Sequence, residues 1–404
     1  MGTRSRLYYP VPVVSSPLRS SAGRHTTAFY ASFFMVSGVY MPFWPLWLAN
    51  WGLSPAQIGL FTSLGIGIRV VAGLLIPALA DRLDSRRNTI VVCCLFGALI
   101  LISHLWISDA SVLLLATLAT GACLASIGPI GEALGVAAAR FHGFGYAPAR
   151  GLGSVGYMIA NLAVGTLIAI YDTQVALWWM VACFLVAAVL VRRHPGGRRV
   201  RGQIPPRMDE IRALVTNPVF CVFVAALSFT QASHAVFYAY GTIHWTSLGL
   251  SEARIGALWA AGVGAEIVFM ITIGGALAGR LGPVRALALS GLAGILRWGG
   301  MMFDPTGWTL WPLMALHAFT FAIGHLGAMA FITRAIPARF GAAAQGAAAA
   351  MAAGLVLSLA TAGAAWAYPR FGGLTYGIGL GMSVVGLVIC VLLGRRWKGQ
   401  PLAV

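Results

Sequence analysis

The chain has 404 residues, 59% of them hydrophobic and only 9% charged, with a net charge of +17. A soluble domain carries about 25% charged residues, so the composition excludes an ordinary soluble protein. The six cysteines (Cys93, Cys94, Cys123, Cys183, Cys221 and Cys390) lie inside apolar runs without metal-site spacing, which argues against a metal centre and for small buried hydrophobes.

Residues 1–26 lack the apolar stretch and small-residue cleavage site of a signal peptide and read as a disordered cytoplasmic tail. Beyond them the chain falls into apolar runs of the ~20 residues that a helix needs to cross a bilayer core about 30 Å thick. Twelve such spans are predicted, near 27–48, 56–80, 88–107, 112–139, 148–171, 174–191, 217–247, 253–279, 286–303, 308–333, 342–368 and 374–394. The stretch RRHPGGRRVRGQIPPRMDEIR, rich in Arg, Gly and Pro, follows the sixth span and reads as a cytoplasmic linker over 192–216 rather than a packed element. It separates a six-helix bundle at 27–191 from a second at 217–394, with a short cytoplasmic tail at 395–404.

Twelve spans with the amino terminus inside place 22 of the 27 basic residues in the tails and cytoplasmic turns, against two outside, Arg254 and Arg370. This is the positive-inside bias. The basicity therefore reports orientation in the membrane, with both termini cytoplasmic, and gives no reason to expect nucleic acid as a partner.

The second span opens with GLSPAQIG at 52–59 and the eighth with GLSEARIG at 249–256, an offset of 197 (249 − 52). The same offset pairs Gly65 and Gly67 with Gly262 and Gly264, and with one residue of slippage LADRL at 79–83 faces LAGRL at 277–281. One six-helix unit has been duplicated. Parallel six-helix repeats about an axis along the membrane normal are a transporter architecture, with the substrate site between the halves. A third glycine pattern misleads: Gly151, Gly153 and Gly156 spell GxGxxG, but inside a spanning helix rather than after a strand, so helix packing is expected.

ALADRLDSRR at 78–87 resembles the loop signature of the major facilitator superfamily, departing from it at Pro77, Asp84 and Ser85. That resemblance implies an all-α membrane protein of twelve helices in two pseudo-symmetric bundles, with Asp81, Arg82 and, in the second copy, Arg280 latching the cytoplasmic side. FFMVSGVYMPFWPLWL (33–48), ASHAVFYAYGTIHW (232–245), LRWGGM (296–301) and LHAFTFAIGHLGAM (316–329) resemble the phenylpropionate-permease branch, which is related to lactose permease and the nucleoside–proton symporters.

Five charged residues lie inside spans, where each costs about 2.5–3.5 kcal/mol on insertion scales: Arg69, Glu132, Arg150, Glu266 and Arg297. Arg69 and Glu266 are repeat-equivalent (69 + 197 = 266), so they could meet across the pseudo-axis or both face the substrate. FGYAPARGLGSVGY resembles the start of the fifth helix of lactose permease, which implies that Glu132 and Arg150 bind substrate. Arg150, Ser154, Tyr157 and Asn161 share one helical face, as do Gln231, His234, Tyr238 and Trp245, while Tyr30, Ser37 and Trp44 repeat along the first span. Packing is the plain reading of Trp44 and Trp245; Tyr30, Tyr157 and Tyr238 could stack on a planar ligand. His317 and His325 could relay protons, and eight α-helical residues set them about 80° apart. The lactose-permease likeness puts Thr320 where that protein has its coupling carboxylate, so Glu266, with Arg297 as its switchable partner, is the expected proton carrier and Glu132 the second choice.

Three arginines against two carboxylates leave a cationic interior, which suits an organic anion, and an aromatic acid fits the aromatic stripes. The expectation is a monomeric, proton-coupled symporter of the inner membrane, working by alternating access on a small molecule, with lipid and protons as partners and no cofactor or metal. A drug–proton antiporter, a sugar or nucleoside symporter and a non-transporting sensor are the alternatives. No Walker-type Gly-Lys-Ser/Thr sequence and no catalytic-motif spacing occurs, so an ATPase or an enzyme is not expected.

Overall fold

A computed structural model describes residues 16–197 and 207–403. The expected tail and linker therefore lie partly outside the described residues. Among the described residues ten helical stretches are long and apolar enough to cross a membrane. Two of them, Glu252–Met301 with 50 residues and Ala338–Arg396 with 59, are about twice the length of a span at 1.5 Å per residue, and each contains two passes. The chain breaks the first at Gly282, whose φ of 73° is left-handed, and the second at Gly372, with φ 52°. Twelve passes follow: α1 (Ser21–Trp51), α2 (Pro55–Arg82), α3 (Arg86–Ser103), α4 (Ala110–His142), α5 (Tyr146–Ile170), α6 (Gln174–Arg192), α7 (Pro218–Ser247), α8 (252–281), α9 (283–301), α10 (Gly307–Ala335), α11 (338–371) and α12 (Gly377–Arg396). α1 starts at Ser21, earlier than hydropathy suggests, because the Ser20 hydroxyl caps it by accepting from the Gly23 amide.

The repeated GLS sequence is a helix-to-helix turn. Gly52 (φ 111°) and Gly249 (φ 83°) stand where the chain leaves one helix in a left-handed conformation, and Ser54 and Ser251 cap the next one through the amides of Gln57 and Arg254. The final glycine of each motif has another use. A Cβ on Gly59 would collide with the Tyr240 hydroxyl and one on Gly256 with the Asn161 carbonyl, so each lets a helix of the opposite half approach closely.

Within the first half α1 packs on α5 and α6, and α3 on α4 and α6; within the second, α9 packs on α10 and α12, and α7 on α12. The halves meet where α2 lies on α11 and α8 on α5, contacts that the duplication exchanges. Among the described residues the hydrogen bonds that join the halves lie toward the GLS end: Ser63 and Ser358 exchange two (2.9 and 2.8 Å), and Tyr240 donates to Pro55 O at 2.8 Å. At the other ends of α2 and α8, Arg82 and Arg280 are exposed, and Asp81 pairs with Arg86 of its own loop at 2.5 Å. Leucines and valines such as Leu99 (63% exposed) and Val189 (68%) cover the outside, as a lipid-facing surface requires.

Several sequence expectations need adjustment. The start of the linker is packed: His194 is fully buried, Arg87 donates to its carbonyl, and Met208–Thr216 forms a helix tied to Arg339 by Glu210 at 3.0 Å. Cys221 is exposed, whereas four of the other cysteines are buried and Cys183 half-buried, all with free thiols. The GxGxxG glycines Gly153 and Gly156 do serve packing, against Tyr30 and the Ala31 carbonyl of α1.

Because the seam depends on bare glycine, Gly256→Val should force α5 and α8 apart. Spin labels at S54C and S251C, in a background without the native cysteines, should then show a distance distribution shifted outward. An unchanged distribution would mean that the seam is not held by this contact.

Candidate functional site

α5 brings the first part of the site together. Arg150 donates through Nε to Glu132 Oε1 on α4 at 2.6 Å, and its guanidinium lies 5.1 Å above the ring of Phe34 on α1. The side chains are 44% and 34% exposed, so water screens the pair and it contributes little to stability. One and two turns along α5, Ser154 and Tyr157 continue the same face. Together they border a cavity of about 290 Å³ between the halves, closed on the far side by Trp259 and Glu266 of α8, Arg297 of α9 and His317 of α10.

A second, larger lobe of about 590 Å³ is lined by Tyr40 and Trp44 of α1, Arg69 of α2 and Thr117 of α4. Met41, Tyr238 and Phe321 border both lobes. Arg69 and Glu266, equivalent in the repeat, therefore do not meet: each faces its own lobe of one space.

The polar core of the second half is a chain of contacts around Arg297, whose side chain is fully buried. Its Nη1 lies 3.0 Å from His317 Nδ1 and 3.0 Å from Thr320 Oγ1, and Nη2 lies 3.6 Å from Met314 Sδ. The guanidinium also sits over the rings of Trp298 (4.6 Å) and Phe237 (5.0 Å). Arginine only donates, so His317 Nδ1 must accept, and the neutral ring then carries its proton on Nε2. That nitrogen is 3.3 Å from Glu266 Oε2. On the other side His234 Nδ1 donates to Gln231 O at 2.8 Å, which leaves its Nε2 to accept from the Thr320 hydroxyl at 3.1 Å. The Thr320 carbonyl takes bonds from Ser290 Oγ (2.8 Å) and Gln231 Nε2 (3.3 Å).

The expected site residues thus divide by position. Arg69, Arg150, Ser154, Tyr157, Tyr238, Glu266, Arg297 and His317 line the cavity. Glu132 holds Arg150 from the side. Four expected substrate contacts sit behind the wall. Tyr30 is buried and donates to Gly131 O at 3.1 Å. Asn161 is buried in the seam against Gly256. Gln231 and His234 support Thr320. Arg297 contacts His317, which stands between it and Glu266. His317 and His325 are not splayed by 80°: Ala318–Ile323 is a π-helical turn, which spends more residues per turn and sets both imidazoles against Phe321, at 5.3 and 6.4 Å. Trp259 was missed, although helical spacing from Glu266 through Val263 and Gly262 leads to it. Phe34, Met314 and Phe321 offered no signal beyond apolarity.

The model of the MFS_1 like family matches residues 25–371. A probable 3-phenylpropionic acid transporter of Escherichia coli is 29% identical over 311 residues, 75% of this chain and 80% of that protein. A maltose permease of Geobacillus stearothermophilus is 24% identical over 370 residues, 91% and 93% of the two chains. Among solved structures, a point mutant of the nucleoside transporter NupG superposes with a TM-score of 0.81 at 17% identity, covering 93% of this chain and 99% of that one. A bacterial homolog of the human lysosomal transporter Spinster, in an inward-facing and unoccupied conformation, gives 0.66 at 16% identity over 94% and 96%.

Thr320→Val removes a hydroxyl that serves both Arg297 and His234 and leaves buried polar atoms without partners. The loss should be about 1–3 kcal/mol of stability. Thermal unfolding of the purified protein should show it, with Thr320→Ser restoring the wild-type midpoint; equal midpoints for all three would refute the bridging role.

Proposed function

The chain belongs to the MFS_1 like family, and from that premise we propose that it is a proton-coupled symporter of a small organic anion, a phenylpropionate-like aromatic acid. The chain is a multi-pass membrane transporter with a place for a small molecule, not an enzyme; the coupling ion and the substrate class are the proposal. One observation carries it: a cavity between the halves that combines aromatic walls, cationic side chains and a single carboxylate, Glu266, set 3.3 Å from an imidazole.

The proposed cycle follows from charge. An anion and a proton entering the same poorly hydrated cavity offset one another, so each favours binding of the other by the same factor. His317 presents Nε2–H toward Glu266 and cannot take a second proton on Nδ1 while Arg297 donates there, so Glu266 is the group that exchanges the proton. Glu132, locked to Arg150 at 2.6 Å, is the weaker candidate. With both termini in the cytoplasm of an inner-membrane protein, the end sealed by Gly59, Gly256 and Tyr240 faces outward and the cavity is open to the cell interior. Rocking of the halves would exchange the sealed ends, with Asp81, Arg82 and Arg280 on the cytoplasmic side.

An uncharged sugar or nucleoside is the second reading, supported by the Glu132–Arg150 pair, which can hydrogen-bond a polyol without needing an anion.

In proteoliposomes with an imposed inward proton gradient, phenylpropionate or a hydroxycinnamate should accumulate. Glu266→Gln should abolish that accumulation while leaving exchange of labelled for unlabelled substrate intact. Accumulation of only a disaccharide or a nucleoside would discard the aromatic acid. Full accumulation by the Gln variant would remove Glu266 from the coupling.

A further inference from the structure

The three arginines that face the cavity differ in what already occupies them. Arg150 has its Nε on Glu132 at 2.6 Å. Arg297 is fully buried and spends Nη1 on His317 and Thr320 and Nη2 on Met314. Arg69 has no such claim on it: among the described residues no carboxylate lies within 4.0 Å and no hydrogen bond engages its guanidinium. It nevertheless lies inside a membrane span and lines the larger lobe, of about 590 Å³. Its side chain is half-buried and faces the lobe, so it is available to an anion that enters.

The surroundings of Arg69 add no acid. Trp44 and Thr117, which line the same lobe, are 3% and 1% exposed, and the Trp44 Nε1 and the Thr117 Oγ1 have no hydrogen-bond partner. Both atoms are shielded from the lobe as well as from protein partners, so the guanidinium of Arg69 is the charged group that a guest there meets. Gly121 of α4 packs beside it: a Cβ there would stand in ordinary contact, 3.6 Å from the Arg69 side chain and 3.7 Å from the Tyr40 hydroxyl. Apart from Thr62 and the tyrosines the remainder of the lobe is apolar, and its border with the smaller lobe is formed by Met41, Tyr238 and Phe321.

We propose that the Arg69 lobe is the carboxylate subsite: Arg69 takes the acid group of the substrate, and the ring of the substrate lies between Tyr238 and Phe321 where the lobes join. This rests on the reading of the chain as an organic-anion transporter and deepens it, because it assigns the choice of anion over neutral analogue to Arg69 instead of the Glu132–Arg150 pair. A guanidinium fork matches a carboxylate by two parallel hydrogen bonds, which an amide cannot both accept.

The test compares an acid with its neutral isostere, phenylpropionate with phenylpropionamide, by equilibrium binding to purified full-length protein. Wild type should prefer the acid. Arg69→Gln should lower affinity for the acid by about ten- to a hundredfold while leaving the amide within a few-fold, so that the preference collapses. Arg69→Lys, which keeps the charge, should retain most of the preference, and the thermal midpoint of each variant reports whether it is folded. An acid preference that survives in folded Arg69→Gln overturns the subsite and leaves the anion-transporter reading standing. Binding of neither acid nor amide by folded wild type overturns the anion-transporter reading, and the subsite with it. If Arg69→Gln does not fold, folded Arg69→Met is read in its place: collapse of the preference supports the subsite and its survival overturns it.

Discussion

A fully buried guanidinium can donate hydrogen bonds but never accept one, and that constraint at Arg297 organises the second half of the molecule. Everything within reach has to be an acceptor or an aromatic face: a histidine nitrogen, a hydroxyl oxygen, a thioether and two rings. The consequence extends outward. His317 is forced into the tautomer that points Nε2–H at Glu266, and Thr320 has to pass its own proton to His234. One residue thereby sets the orientation of the cavity wall in which the proposed proton carrier sits.

The halves share a backbone plan and divide the chemistry. Repeated turns and repeated seam glycines close both crossings, α2 on α11 and α5 on α8, at the same end. At the equivalent depth of α2 and α8, however, one copy holds an arginine and the other a glutamate. Duplication supplied symmetric helices, which rocking requires, and divergence of the polar residues made the cavity asymmetric. An anion and a proton can then be served by different halves, and closing the cavity would bring both under one low-dielectric roof.

Much of the fold was legible because the membrane simplifies the problem: a span must be apolar and helical, so length and hydropathy reveal it, and the repeat reveals the two halves. The breaks within the two longest helical stretches were legible as well: Gly282, between Arg280 and Arg285, and Gly372, after Arg370, fall between the expected spans 253–279 and 286–303, and 342–368 and 374–394. The Glu132–Arg150 pair and the α5 face through Tyr157 followed from resemblance and helical spacing. Spacing alone misplaced Asn161, because Gly256 lets α8 cover that turn of α5, and it misplaced His325, because a π-helical turn resets the face of α10. The buried position of His234 was likewise invisible, since an apolar helix around a histidine looks the same whether the ring faces a cavity or a neighbouring helix.

The most direct test of the proposed coupling is the pH of a lightly buffered medium outside substrate-free proteoliposomes when an aromatic acid is added without any imposed gradient. Proton symport predicts alkalinisation that tracks the entry of labelled substrate and disappears when an uncoupler short-circuits the proton gradient. Entry of the acid with no accompanying proton movement would contradict it.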